Sequence, residues 1–381
     1  PNLCDRSPEI LALHYRGAEK FIEARNKWQE AANIAMRDYA SQEAIAHLTA
    51  ALDAHERATP DENSDSVEIA IRQSLSVALE IRAWGSPDIA ENLERLILLN
   101  EKIGEHSVAF SVLDQLIGEN LIAGRPDVAW EYCKRMRALL VDNASPAMQT
   151  LSEHNAAMAS LLMGEFDRAI AHFDRALLFR AQSDLSEINR YYPADPETVD
   201  TAMRCWAGAL RQDDRKNIQK ELDHAIATAE AQKSEFSRCF ALSIIATIYC
   251  TLDDPEHTRI YARMARIISK KIEFQYWDAW SSVVLGWAEA RCGQPGNGIA
   301  TLSAGLERYI ATGSAQIIAF SKTLLADAYL CEHEVEEAAA QIADAQDVLT
   351  NSTIRFHDRL TEHVAQKIAT HSSTTQSETL D

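Results

Sequence analysis

The chain has 381 residues, with 37 Lys and Arg against 57 Asp and Glu, a formal net charge of −20. That charge opposes contact with nucleic acid or an anionic membrane surface, and no run of 18 apolar residues exists to span a bilayer. Hydrophobic residues make up 46%, Ala is the commonest, and Gly (13) and Pro (10) are few, so the composition favours helix almost throughout.

Residues 1–5 lack a starting Met and a charged-then-apolar leader, so the chain reads as a piece of a longer protein, with an N-terminal edge over 1–7. Residues 39–54, YASQEAIAHLTAALDA, and 164–177, GEFDRAIAHFDRAL, each carry small residues seven apart: Ala44 with Ala51, and Ala169 with Ala176. Seven residues are two helical turns, so each pair lies on one face and lets a neighbouring helix approach closely. The pattern recurs with anchors at Ala44, Ile89, Ala129, Ala169, Ile218, Thr258, Gly298 and Ala338. The steps are 45, 40, 40, 49, 40, 40 and 40 residues, and the partners seven on are Ala51, Leu96, Met136, Ala176, Ala225, Ala265, Gly305 and Ala345.

Five residues before the later anchors stand Trp84, Gly124, Gly164, Asp213, Asp253, Gly293 and His333, a column rich in turn formers. Twelve before stand Val77, Ile117, Ala157, Trp206, Ala246, Gly286 and Ala326, the contact column of a helical hairpin. Each repeat is therefore helix A, a short turn and helix B. Predicted A helices include 237–252, 277–292 and 317–331, with B helices 255–270, 296–312 and 335–349. Residues 58–65, ATPDENSD, predict a loop, and 185–198, with Pro193 and Pro196, a second one. Residues 370–381 are polar and aperiodic and predict a disordered tail. The expected layout is one solenoid over 8–369: an all-α, right-handed superhelix of about eight hairpins with a period near 40 residues.

Residues 14–54 also resemble the first repeats after the ATPase module of bacterial multidomain "predicted ATPase" regulators. These carry an adenylate/guanylate cyclase or winged-helix DNA-binding domain, an AAA-like module and a closing tetratricopeptide-like helical region. The likeness continues at 81–94 and 305–313, and is most specific at 274–298 in the pattern of Trp277, Trp280, Gly286, Trp287, Gly293 and Gly298. After Ile354 the sequence departs from the family's acidic, Leu-rich helix. The resemblance implies a tetratricopeptide-like fold, a cytoplasmic bacterial signalling protein, and ATPase or output domains upstream in the same polypeptide.

No motif of nucleotide binding, nucleophilic hydrolysis or zinc catalysis occurs, and no cofactor is expected. Seven Cys without a CxxC spacing read as small buried hydrophobes in a reducing cytosol. The Glu332-His333-Glu334 cluster reads as a solvated turn, and His357 and His363, six apart, cannot share a metal.

A binding module is the favoured class, with a protein or small effector in the concave groove. In tetratricopeptide-like hairpins the groove positions lie about fifteen and eleven residues before each anchor. The first column is Ser74, Asp114, His154, Met203, Ser243, Val283 and Thr323; the second is Ala78, Gly118, Met158, Ala207, Thr247, Trp287 and Asp327. Arg211 and Arg291 fall near the A-helix ends. From these the candidate groove residues are Asp114, His154, Met158, Met203, Arg211, Thr247, Trp287, Arg291, Thr323 and Asp327. Met158, Met203 and Trp287 read equally as core between repeats. The net charge predicts a neutral or basic partner. Two alternatives stand beside this reading: a free-standing peptide or small-molecule receptor, and a structural module that builds homo-oligomers.

Overall fold

The computed structural model describes residues 7–378 apart from 38–39, 83–86, 105, 141–143 and 190–191, and these form nineteen helices and no strand. The chain divides into two compact units, Pro1–Glu119 and Asn120–Asp381.

The first unit holds α1 (Pro8–Gly17), α2 (Phe21–Arg37), α3 (Ser41–Arg57), α4 (Ser64–Arg82), α5 (Pro87–Ile103) and most of α6 (His106–Ile122). From α1 to α5, each helix packs on the next in the chain. The second unit continues with α7 (Pro126–Ala138), α8 (Pro146–Leu162), α9 (Phe166–Arg180) and the single turn α10 (Leu185–Ile188). Then follow α11 (Pro196–Arg211), α12 (Arg215–Ala231), α13 (Glu235–Thr251), α14 (Pro255–Lys271), α15 (Gln275–Arg291), α16 (Pro295–Ala311), α17 (Ile318–Cys331), α18 (Val335–Thr350) and α19 (Asp358–Glu378). Eight A–B hairpins result: α2–α3, α4–α5, α6–α7, α8–α9, α11–α12, α13–α14, α15–α16 and α17–α18.

Local chemistry sets the helix ends. Proline opens α7, α8, α11, α14 and α16, where its missing N–H costs nothing. Ser145, Asp195, Asp214, Ser234 and Asp254 accept N–H groups of the first turns of α8, α11, α12, α13 and α14. The A helices end on left-handed residues at Gly124, Gly164, Asp253, Gly293 and His333, with φ between 59° and 83°. At the end of α11 the left-handed residue is Gln212 (φ 68°) and not Asp213, one position earlier than the repeat column predicts. Trp84, the first of that column, lies outside the described residues.

All eight anchors and all eight partners seven residues on are buried. Ala157, Ala246, Gly286 and Ala326 are buried between A and B helices as the contact column requires. Val77 departs from its column: it is 50% exposed, and neighbouring Ala78 is fully buried in its place. Two further expectations need correction. The loop predicted over 185–198 contains α10 and, with Pro196 as its first residue, the start of α11. The tail predicted from residue 370 is helical as far as Glu378, where α19 ends.

The A helices of the second unit form an inner layer, buried almost all round, while its B helices present one face outward. Successive A helices meet through small hydroxyl side chains. Ser243 on α13 lies 3.0 Å from Ser281 on α15, and Thr323 on α17 lies 2.9 Å from Thr361 on α19. The α15–α16 pair is the tightest hairpin. A Cβ on Gly286 would stand 2.4 Å from the Leu302 backbone nitrogen, and one on Gly298 2.4 Å from that of Ala290.

Candidate functional site

The A helices of the second unit converge at their C-terminal ends on a cavity of about 770 Å³. That volume falls in the range of small-ligand and peptide pockets. One wall is apolar: Met163 beyond α8, Trp287 on α15, Phe320 and Leu324 on α17, and Phe356 just before α19.

The polar floor is built by helical spacing. Trp287 and Arg291, four apart on α15, share a face, with the guanidinium 5.3 Å from the indole centroid. Asp327, forty residues after Trp287, occupies the matching place on α17. One Asp327 carboxylate oxygen accepts from Trp287 Nε1 and Arg291 Nη1, each at 2.9 Å, and the other accepts from Lys367 Nζ at 2.9 Å. Burial pushes the Asp327 carboxyl upward, but Lys367, the indole N–H and Arg291 together hold it below its ordinary value. Arg291 also reaches Asp253 at 2.9 Å, in the turn after α13. The floor is thus an alternating chain, Asp253, Arg291, Asp327, Lys367, in which each charge is compensated.

The remaining wall comes from the loop between α18 and α19, residues 352–357, which folds back onto the start of the unit. Arg355 N–H donates to Leu162 C=O at 2.7 Å, and Thr353 Oγ1 donates to Asp127 at 2.7 Å. One repeat earlier, Ala315 N–H donates to Ile122 C=O at 2.8 Å. Ile122 and Leu162 end their A helices, whose last carbonyls lack an intrahelical partner. Amides 193 residues later satisfy both. Gly124 and Gly164 make this approach possible: a Cβ on Gly164 would sit 3.0 Å from Arg355 Cβ, and one on Gly124 3.3 Å from Ile354 Cδ1. Phe356 seals the loop against Trp206 and Phe320, with centroids 5.2 and 5.8 Å away.

His357 follows Phe356 and is 2% exposed. Neither of its ring nitrogens has a hydrogen-bond partner, and neither does the out-of-solvent Oδ1 of Asp358. Burial, helped by the Arg355 charge, pushes the imidazole down to about 3, so the ring is neutral.

Of the ten candidates read from the repeat columns, Trp287, Arg291 and Asp327 come together at this cavity. Arg211 stands near its edge at the end of α11, pairing with Asp213 at 2.7 Å and Asp167 at 2.5 Å. Met158 is half-buried on α8. Asp114 is half-buried on α6 in the first unit. His154, Met203, Thr247 and Thr323 are buried between A helices. His154 lies 2.5 Å from fully buried Asp200, and Thr247 accepts the Trp280 indole N–H at 2.9 Å. These four have no open face to a groove, because fifteen before the anchor is the seam between A helices when consecutive hairpins pack this tightly. His357, Asp358 and Lys367 belong to the site and escape the column argument. Their one sequence signal is the pair of apolar residues, Ile354 and Phe356, in a segment with loop composition.

Among the described residues no group of three or more His, Cys, Asp or Glu could hold a metal ion, and no helix is long and apolar enough to cross a membrane. Cys133, Cys205, Cys239 and Cys250 are buried, and burial raises the thiols of Cys205 and Cys239 to about 12, far from thiolate reactivity. Cys4 lies outside the described residues.

No protein-family model matches the chain, and no curated protein sequence matches it. Solved structures do. A Rap protein complexed with Competence and Sporulation Factor is similar at 12% identity, covering 93% of this chain and 99% of that one with a TM-score of 0.51. The Cut9 and Hcn1 hetero-tetramer of the APC/C is similar at 12% identity, covering 97% of this chain and 69% of that one with a TM-score of 0.52. At this identity the likeness is one of fold, and the fold is a tetratricopeptide-like α-solenoid.

Proposed function

We propose that the chain is a non-catalytic interaction module whose second unit holds a protein or peptide partner in its inner cavity. The observation that carries this reading is the cavity itself. An aromatic wall and a chain of compensated charges converge there from five A-type helices far apart in sequence. A cavity of that make-up suits a partner with an apolar side chain and several hydrogen-bonding groups. The structural neighbour bound to Competence and Sporulation Factor shows that the fold accommodates such a ligand elsewhere. We further assign the module to a cytoplasmic bacterial regulator, where occupancy would be relayed to ATPase, cyclase or DNA-binding domains of the same polypeptide. The resemblance of residues 14–54 and 274–298 to that family supports this assignment. A solenoid suits the relay because small changes at each repeat interface add along the stack.

The test is photo-crosslinking. A crosslinking residue at Leu360, on the cavity wall, is expected to trap a partner, and the same residue at Ile267, 70% exposed on the outer face of α14, is not. Trapping from Ile267 alone would overturn the reading. A Walker motif in the gene ahead of residue 1 is the expected result for the regulator assignment; its absence would leave a free-standing receptor.

A further inference from the structure

The unpartnered groups on the cavity wall specify what kind of partner fits, an inference that rests on the binding role just proposed. Nine side-chain polar atoms among the described residues are buried without a hydrogen bond, and three of them are adjacent: both His357 ring nitrogens and Asp358 Oδ1. All three belong to residues lining the cavity. Leaving such groups bare in an apolar setting is costly, so native proteins keep them where a ligand or water completes them. A neutral imidazole offers one donor and one acceptor, and the carboxylate oxygen asks for another donor. The main chain of a peptide supplies both kinds of group at short, regular spacing.

The rim adds a charge preference. The lining carboxylates Asp213, Asp253 and Asp327 are each matched by Arg or Lys, and Asp358 lies 3.7 Å from Arg355. Arg215 and Arg359, also in the lining, are exposed and have no carboxylate partner among the described residues. Two uncompensated guanidinium groups at one rim are a local exception in a chain of net charge −20.

We propose that this cavity binds a short extended peptide through its main chain, with an apolar side chain against Phe320 and Phe356 and a neighbouring carboxylate at Arg215 and Arg359. His357 donates to a peptide carbonyl and accepts a peptide N–H, and Asp358 Oδ1 accepts a second N–H. The local preference for an acidic residue reverses what the net charge of the whole chain predicts.

The experiment uses the full chain and a pool of acetylated, amidated hexapeptides randomised at every position. Retained peptides are expected to be enriched in Asp or Glu beside Phe, Leu or Ile. The affinity of an enriched peptide should fall at least about tenfold in His357→Phe, which keeps an aromatic ring but removes both hydrogen-bonding nitrogens. Arg359→Glu, an exposed change that leaves the fold untouched, should shift enrichment from acidic to basic residues. No retention by the native chain, or equal retention by both variants, would overturn the proposal. If peptides fail while a crosslinker at Leu360 still traps a protein, the peptide inference falls and the binding role stands. If both fail, both fall.

Discussion

The hairpins α4–α5 in the first unit and α15–α16 in the second are joined in opposite ways. In α15–α16, Gly286, Gly298 and Gly305 remove side chains from the interface, and the helices approach until backbone meets backbone. In α4–α5 a polar network bridges a wider gap. Glu68, 7% exposed, accepts from Arg95 at 2.8 and 2.9 Å and from Arg72 at 2.8 Å, and Asn92 donates to Arg72 C=O at 2.8 Å and Ser76 at 2.9 Å. The same repeat therefore tolerates two kinds of seam. Close approach demands small residues at fixed places and leaves a periodic mark. A bridged seam does not, and there α4 turns so that Ala78, not Val77, faces the core.

The largest effect expected from this contrast is at Gly286. Gly286→Leu drives a side chain into the α16 backbone and should cost about 3 kcal/mol or more, read as a lower denaturation midpoint with accelerated hydrogen exchange in α15 and α16. Exchange unchanged in those helices would show that the hairpin is not closed by its glycines. Glu68→Gln should cost about 2 kcal/mol, because Arg72 and Arg95 lose a nearly buried carboxylate. The loss should appear in segments of the first unit; a neutral result would mean that the network contributes only solubility.

Acid separates the units by a smaller amount per pH step. In the first, partner guanidinium groups hold Glu68 down to about 2 against the burial that raises it. That stability is present above about pH 4.5 and is lost as pH falls toward 2. In the second, His357 titrates near 3 when folded and near 6.5 when unfolded. The unfolded chain binds the extra proton between those values, so stability from the neutral ring is present above pH 6.5 and lost below it. Wild type should lose roughly 1.4 kcal/mol per pH unit more than His357→Phe between pH 6 and 4, by denaturant unfolding. Parallel curves would show the ring to be hydrated. The smallest effect is a gain: Gly118 in α6 has nothing within 4 Å of where a Cβ would stand, so Gly118→Ala should stabilise by about 0.5–1 kcal/mol. A loss would mark a contact absent from this structure.

The hairpin order, the predicted helix ranges of the last three hairpins to within two residues and all sixteen anchor positions were legible in the sequence, because a 40-residue period of small and apolar residues is a local signal repeated many times. Trp287, Arg291 and Asp327 could be placed for the same reason: helical spacing and the repeat period bring them to one end of neighbouring helices. His154 and Thr323 were misplaced because the column count does not say how closely consecutive A helices pack. The loop carrying His357 was invisible, since its position depends on amides meeting the carbonyls of Ile122 and Leu162 across 193 residues. No local pattern encodes a contact of that range.

The central claim is that partners enter the inner cavity of the second unit. Hydrogen exchange of the full chain with and without the enriched acidic peptide tests it most directly. The account predicts added protection at residues 355–361 and at the end of α15, around Trp287 and Arg291. Protection confined to the outer face of α14, near Ile260 and Ile267, or none at all, would contradict it.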